Sequence, residues 1–223
     1  MTLLQIRQDF WNRTNDTSFS STQIDLWVNL GIKQWAARAD WPSLVTTATL
    51  TTTANTAEIT LPTDFKRMIG VRLGTISTTT EPESTEQSFV NYNNKNVDFS
   101  GPGYYLNPAN DKIGLIPTPL TTGLPVYIKY YQIPADISAL TDVPPFPENY
   151  HELVTFFALS RYWEGADEFD KKVHYSIEFE NMIERMKMDL LKTSVGQLGR
   201  MRDIRELAND QQPQVINAVE LGL

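Results

Sequence analysis

The segment WAARADWPSLVTTATLTT, residues 35–52, contains the change of pattern that decides the fold. Up to Trp41 the apolar residues recur at helical spacing, and from Leu44 they alternate at the two-residue period of a strand. Pro42 separates the two patterns, because proline forces the preceding residue out of helical geometry. The reverse change follows residues 144–147, which include three prolines. The sequence therefore predicts helices at both ends of the chain and a sheet between them.

Helical spacing of apolar residues identifies four segments outside the predicted sheet. In the second segment Ser20 and Gln23 occupy the positions of a capping box. Gly31 lies in its apolar stripe, which indicates close approach of another helix. Asp167 is placed to cap the fourth segment. The predicted helices span residues 3–13, 21–40, 148–164 and 168–194.

The aromatic stripe of the second helix is expected to form the centre of a helical core. Trp27 and Trp35 lie on its apolar face, and the matching faces of the third and fourth helices carry Phe157, Phe179 and Met186. Neither end of the chain can bury a core alone. The two ends are therefore expected to pack together through these side chains.

The central section has the threonine, tyrosine and proline content of β-structure. Its first two strands are expected to form a hairpin through residues 54–56, and the third to continue that sheet. Residues 75–88 are expected to form a polar loop without a packing pattern. The predicted strands comprise residues 45–52, 57–61, 68–73, 104–106, 112–116 and 126–131.

The predicted fold class is α+β, with a four-helix body, an inserted antiparallel β-domain and an extended C-terminal tail. The body comprises residues 1–43 and 148–195, and the β-domain with its connecting loops comprises residues 44–147. Residues 196–223 form the tail, which starts with a glycine pair and ends in an apolar segment. Such a segment is suited to becoming ordered on the surface of a partner.

Composition excludes several classes of function. The net charge of −8 argues against a dedicated DNA clamp, which needs clustered lysine and arginine. The absence of cysteine excludes disulfides and thiol catalysis. No apolar run reaches the roughly 18 residues of a membrane span, and the first residues lack the pattern of a signal peptide. We therefore expect a protein of intracellular origin that does not enter a membrane.

No set of residues makes a convincing catalytic, cofactor or metal site. Glu148 and His151 match the Glu-x-x-His motif of di-iron bundles, but His174, the other histidine, lacks a glutamate at position 171. His174 and Glu178 provide too few ligands for a stable zinc site. No nucleophile-elbow sequence is present. The sequence therefore predicts no enzyme, although a pair of carboxylates for glycoside hydrolysis is left open.

A series of short motifs, spread over residues 19–195, resembles the head-to-tail adaptor (connector or gatekeeper) proteins of tailed bacteriophages, especially the short-tailed type. Their order and spacing carry the resemblance more than any single motif. The motifs are FS (19–20), WPSL (41–44), LPTDFKRM (61–68), IGLIPTP (113–119), YYQIP (130–134), LTD (140–142) and PPFPENYHELV (144–154).

The resemblance implies a structural virion protein at the head-tail interface, made in the cytoplasm of the host bacterium. It implies a homo-oligomeric ring of twelve copies that binds the portal protein after DNA packaging and joins it to a tail nozzle or tail tube. Double-stranded DNA would pass through this ring without sequence-specific binding. The acidic composition suits such a conduit, since like charge discourages DNA from sticking to the wall.

The resemblance also implies that the tail reaches the portal and that the β-domain faces the tail tube or nozzle. The expected portal-docking residues combine three arginines with an apolar end: Arg200, Arg202, Arg205, Val215, Ile216, Val219, Leu221 and Leu223. Two alternatives remain. One is a tail stopper or terminator protein, although these are usually smaller and mostly β. The other is a cell-wall hydrolase, for which the sequence contains no motif.

Overall fold

The computed structural model describes residues 1–74, 84–89, 103–107 and 109–195, which form an α+β fold and confirm the predicted class. The helices in these ranges are α1 (Leu3–Thr14), α2 (Ser21–Arg38), α3 (Glu152–Gly165) and α4 (Phe169–Val195). The strands are β1 (Val45–Thr51), β2 (Glu58–Thr60), β3 (Phe65–Gly74), β4 (Ser84–Glu86), β5 (Ser88–Phe89), β6 (Gly103–Asn107), β7 (Lys112–Ile116) and β8 (Pro125–Gln132).

The predicted helix positions are confirmed, and Ser20 is the N-cap residue of α2, but the capping box predicted there and the cap predicted at Asp167 are wrong. α2 begins directly after Ser20, whose side chain makes no capping hydrogen bond. Asp167 has a left-handed backbone with φ of 58°. The Lys172 N–H donates to the Glu168 carbonyl at 3.0 Å, so Glu168 stands at the cap of α4. Residue type therefore identified the cap position of α2, whereas at α4 it identified Asp167, the residue before the cap.

A capping box does form at the start of α1, where it was not predicted. The Thr2 hydroxyl accepts from the Gln5 N–H at 3.3 Å, and the Gln5 side chain accepts from the Thr2 N–H at 2.8 Å. The next N–H, of Leu3, donates to the Asp142 carbonyl at 2.8 Å. The free donors of the first turn are thus satisfied, and α1 is tied to the segment that leads into α3.

Trp35 lies at the centre of the helical core and is fully buried. Its indole N–H points at the Met186 sulfur, 3.0 Å away on α4. Its ring stacks on Trp41 with centroids 5.2 Å apart and contacts Phe146 at 4.7 Å. Trp41 in turn donates its indole N–H to the Trp35 carbonyl at 2.8 Å. The predicted contact between the second and fourth helices is therefore confirmed at this residue.

Gly31 lies at the contact between α2 and α3. A Cβ at this position would stand 3.2 Å from carbons of the Phe157 side chain, so the predicted close approach is confirmed. Trp27, one turn earlier, is only half-buried and stacks on Phe19, with ring centroids 5.3 Å apart; Phe10 is its other aromatic neighbour, at 6.4 Å. Trp27 therefore packs towards α1 and its connection to α2.

The described strands form two four-stranded sheets. The first has the order β1-β8-β3-β4 and the second β2-β7-β6-β5. All pairs are antiparallel except β5 and β6, which are parallel. The expected polar loop at residues 75–88 is wrong for residues 84–88, because β4 and the first residue of β5 lie there; residues 75–83 are outside the described ranges.

The predicted hairpin of the first two strands is wrong. β1 pairs along its whole length with β8, whereas β2 belongs to the other sheet and pairs with β7. Asn55, in the connection, has φ of 60° and donates its N–H to the Pro119 carbonyl at 2.8 Å. This bond ties the connection between β1 and β2 to the segment between β7 and β8. Alternation identifies a strand and its inner face, but it does not identify the partner.

A second hydrophobic core lies between the two sheets. Its buried members are Leu61, Val71, Tyr104, Ile113, Leu115, Val126, Ile128 and Tyr130. They form a cluster distinct from the helical core around Trp35.

Lys66, on β3, connects the sheets to the helices. Its ammonium donates to the carbonyls of Ala36 and Ala39 at 2.7 and 2.8 Å, at the C-terminal end of α2. A cation is favourable there, because the last carbonyls of a helix lack helical partners and carry partial negative charge. The neighbouring Arg67 forms an ion pair with Asp40.

Replacing Trp35 tests the helical core. We expect Trp35→Ala to lower the free energy of unfolding by about 3–5 kcal/mol, because it removes a fully buried aromatic side chain. The measurement is chemical denaturation followed by circular dichroism. Phe169→Ala is the matched control, since the Phe169 side chain is 68% exposed. A loss of less than about 1 kcal/mol for Trp35→Ala would contradict this packing.

Two strand glycines provide a matched pair of tests for the sheets. A Cβ at Gly114 would stand 2.0 Å from the Tyr105 ring, whereas one at Gly70 would meet no atom within 4 Å. We expect Gly114→Ala to destabilise the protein by about 1–3 kcal/mol or more. Gly70→Ala should be neutral or slightly stabilising, since it restricts the unfolded chain. Equal losses of stability for the two variants would refute the contact with Tyr105.

Candidate docking surfaces

His151, the candidate of the Glu-x-x-His motif, is a structural residue in the helical core. Its side chain is buried, and Nε2 lies 2.8 Å from the Phe146 carbonyl. Nδ1 lies 2.5 Å from the N-terminal nitrogen and 3.1 Å from the carbonyl of Met1. Glu148 is exposed and faces the N-terminal ammonium at 3.6 Å. Both ring nitrogens of His151 are therefore engaged by the chain itself.

Burial lowers the pKa of His151 below its usual value, and the positive charge of the N-terminus acts in the same direction. The neutral imidazole is the form that fits this position. His174, in contrast, is exposed beside the Tyr175 ring. Among the described residues, no group of three or more histidine, aspartate or glutamate side chains could hold a metal ion.

Tyrosine–aspartate pairs join elements of the fold. Tyr130 donates to Asp64 at 2.9 Å; burial, followed by this bond, raises the pKa of Tyr130 to about 12. Tyr150 donates to Asp189, which raises the pKa of Tyr150 and links the start of α3 to α4. Protonated phenols that donate to carboxylates at packed junctions hold elements together, and their raised pKa values do not suit a general base at neutral pH.

An apolar stripe runs along the outer face of α4. Phe169, Val173, Ile177 and Met188 recur there at helical spacing, and each side chain is between 48% and 68% exposed. The opposite face of α4 carries the buried Phe179, Ile183 and Met186, as predicted. Sequence analysis did not identify the outer stripe. The four-residue spacing of Phe169, Val173 and Ile177 was the signal that could have identified this stripe.

A groove of about 310 Å³ lies between α2, α3 and α4, and ion pairs cross its rim. Glu164 accepts from Lys172 at 2.7 Å and from Arg161 at 2.9 Å, and these bonds lower the pKa of Glu164. Arg38 pairs with Glu180 on the other side. Three cations and two carboxylates therefore line this groove, and each of the three cations is paired with a carboxylate of the chain.

A larger groove, of about 710 Å³, lies along the first sheet. Its lining includes the exposed Ile69, the cation of Lys129 and the rings of Tyr104 and Tyr127. Gly70 leaves space in it, since a Cβ there would meet nothing within 4 Å. Mixed apolar and polar linings of this kind are common in protein–protein contacts. The groove is a candidate surface for docking rather than for chemistry.

The predicted portal-docking residues lie outside the described residues. They are Arg200, Arg202, Arg205, Val215, Ile216, Val219, Leu221 and Leu223. Their role therefore stays a prediction. In the described part of the chain, no helix is both long enough and apolar enough to cross a membrane.

Comparison of the sequence with known protein families indicates whether an active site or an assembly surface is the functional feature to expect. A family model described as SU10 adaptor protein matches residues 1–204. The chain belongs to the SU10 adaptor protein family. The match includes both helical ends and the sheets between them, and it confirms the resemblance to phage head-to-tail adaptors. No curated protein matches the chain.

Membership in the SU10 adaptor family indicates a structural protein of a phage particle that associates with portal and tail components. It is a family of structural proteins and not a class of enzymes. This agrees with the described geometry, in which His151 and the buried tyrosines hold elements together. The candidate functional features are therefore two surfaces, the α4 stripe and the groove along the first sheet.

His151 makes stability depend on pH. Its pKa is lower in the folded protein than the value of about 6.5 in an unfolded chain, so the unfolded state binds more protons between the two values. The stabilising contribution is present above about pH 6.5 and is lost as the pH falls through the folded pKa. Denaturation midpoints between pH 5 and 8 should show this loss. The dependence should weaken in His151→Gln and persist in His174→Gln.

Proposed function

We propose that this protein forms the ring that joins the portal vertex of a filled phage capsid to the tail and that serves as a conduit for DNA. The observation that carries the proposal is the SU10 adaptor match over residues 1–204. The protein then works in the virion, at the head-tail interface, after synthesis in the host cytoplasm. Its partners are the portal protein on one side and a tail nozzle or tail tube protein on the other.

The proposed architecture is a helical body, residues 1–43 and 148–195, with an inserted β-domain, residues 44–147. Two observations support this division. The helical core around Trp35 and the inter-sheet core are separate clusters. The chain passes from one to the other near Pro42 and returns between the end of β8 and the short 3₁₀ turn Glu148–Tyr150. Ile137, in the returning segment, already packs in the helical core.

A ring of identical subunits, proposed to contain twelve, needs surfaces that bind neighbouring copies or partner proteins. The outer stripe of α4 supports such an assembly, because four large apolar side chains recur on one exposed face. A ring requires two different surfaces on each subunit, in contrast to the self-complementary patch of a two-fold dimer. In this proposal the α4 stripe is one of the surfaces covered on assembly.

The conduit part of the proposal rests on charge. The chain carries 27 acidic and 19 basic residues, a net charge of −8. Potentials summed over many copies of an acidic chain repel DNA phosphates, so DNA would slide without sequence-specific binding. Several cations are also neutralised within the subunit, as in the pairs Arg7–Asp25 and Arg67–Asp40.

The portal-docking element is proposed to be the C-terminal segment, residues 196–223. Arg200, Arg202 and Arg205 supply cations, and the last nine residues supply apolar anchors. Each buried aliphatic anchor contributes about 1.5–3 kcal/mol before the cost of ordering the segment. The arginines add only about 0–1 kcal/mol each if their pairs stay exposed. The apolar anchors are therefore the main source of affinity.

Two other roles are less well supported. A tail stopper or terminator is usually smaller and mostly β, whereas helices here form the larger of the two cores. A cell-wall hydrolase needs a carboxyl group with a raised pKa as the acid. Hydrogen bonds instead lower the pKa of Asp16, Asp142 and Glu164, which suits capping and ion pairing.

Deletion of residues 196–223 tests the proposed docking element. The truncated protein should keep the circular dichroism spectrum of the full chain but fail to co-sediment with purified portal rings. A shorter deletion, residues 215–223, removes the anchors and keeps the arginines; it should lose most of the binding. A variant with Arg200, Arg202 and Arg205 changed to alanine should lose much less. Unchanged binding by the long deletion would place the docking surface within residues 1–195 and contradict the proposal.

A further inference from the structure

β1 forms an open edge of the first sheet. The sheet order places β8 on one side of β1, and no strand of the described chain lies on the other. The Thr52 N–H donates to the Leu124 carbonyl at 3.0 Å, which fixes the phase of the pairing with β8. Because successive residues of an antiparallel pair alternate in direction, Thr47, Thr49 and Thr51 direct their N–H and C=O groups away from β8.

The edge lacks the devices that usually prevent strand addition. β1 reads VTTATLT and contains no charge and no proline. Its pairing with β8 runs from Val45 to Thr51 without a register shift, so no bulge twists the edge away. Natural edge strands are usually protected by charge, proline, bulges or shortness. A seven-residue uncharged edge is therefore ready to accept another strand.

We propose that β1 pairs with β1 of a second copy of this chain, antiparallel and centred on Ala48. The other described edge strands, β2, β4 and β5, contain three, three and two residues. β1 is thus the described edge strand long enough to match another β1. The inference rests on this edge alone and is independent of the proposed function.

The register agrees with the direction of the free backbone groups. Centred on Ala48, Thr47 stands opposite Thr49 of the second copy, and Val45 opposite Thr51. Thr47 and Thr49 both direct their backbone groups to the open edge, so they can exchange hydrogen bonds on each side of the axis. A register shifted by one residue would place the free backbone groups of one β1 strand opposite residues of the other β1 strand whose N–H and C=O groups already bond to β8. Threonine pairs opposite each other also favour strand pairing.

The side chains agree with the same arrangement. Ala48 and Leu50 point inwards and pack against the inter-sheet core, so a paired sheet would continue that core across the two-fold axis. Thr47, Thr49 and Thr51 are exposed on the other face. A two-fold contact closes at two subunits, so a ring built from head-to-tail contacts cannot contain it at every joint.

The first test measures self-association by sedimentation equilibrium at concentrations up to about 1 mM. The native chain should form dimers. The double variant Thr47→Lys with Thr49→Lys places lysines directly opposite each other and should weaken dimerisation at least tenfold, because like charges repel across the pair and the favourable threonine contacts are lost. Thr53→Lys with Thr60→Lys adds the same charge at exposed positions off β1 and should leave dimerisation unchanged. A native monomer, or equal dimers in all three proteins, overturns the proposal.

The second test uses the absence of cysteine from the chain. Thr47→Cys and Thr49→Cys proteins are prepared separately, mixed and gently oxidised. Residues opposite each other at a hydrogen-bonded position have Cα atoms about 5.5 Å apart, within the range of a disulfide. The mixture should yield cross-linked dimers that contain one chain of each variant, and each variant alone should yield far fewer. Equal cross-linking in the three samples, or none in the mixture, contradicts the register and the proposal.

Discussion

The insertion of the Lys66 ammonium into the end of α2 is the interaction on which the arrangement of the molecule depends. It bonds to the Ala36 and Ala39 carbonyls, which no helical N–H can reach. Charge-assisted bonds of this kind are stronger than neutral ones, and Lys66 is largely shielded from water. Because β3 carries Lys66 and pairs with β8, the first sheet is held at a fixed place on the helices. The helical core and the inter-sheet core are thus joined by direct hydrogen bonds as well as by the covalent chain.

The sequence predicted the elements better than their partners. The spacing of apolar residues predicted the positions of the helices and of most strands in the described chain. Each element buries one face, so its apolar residues repeat every 3.6 residues in a helix and every two residues in a strand, and the repeat changes at Pro42. The spacing did not pair β1 with β8, because the two are far apart along the chain and many strands share the same alternation. The sequence also predicted a capping hydrogen bond from the Ser20 side chain, which does not form, and a cap at Asp167, whose left-handed backbone does not suit one.

The candidate surfaces were less predictable than the fold. The exposure of Phe169, Val173 and Ile177 on α4 depends on which face of the helix packs on the core, and apolar spacing alone does not show which apolar face is buried. The open edge of β1 depends on strand order, a property of the folded chain that no local pattern contains. The family itself was predictable from ordered motifs, and the match over residues 1–204 agrees with them. Candidate catalytic or metal-binding residues did not help to predict the function, because a residue such as His151 proves to be a buried structural side chain.

The end of the first sheet nearest the helices has a mechanical consequence. Val45, at the start of β1, stands beside Tyr131, near the end of β8, and Tyr131 stands beside Arg67 of β3. Both covalent connections therefore leave the sheet at the same end. A force that pulls the sheet away from the helices is carried as tension along the two backbones, and it does not slide one strand past the other. The ladder between β1 and β8 is therefore not sheared by such a force, because both strands are pulled in the same direction.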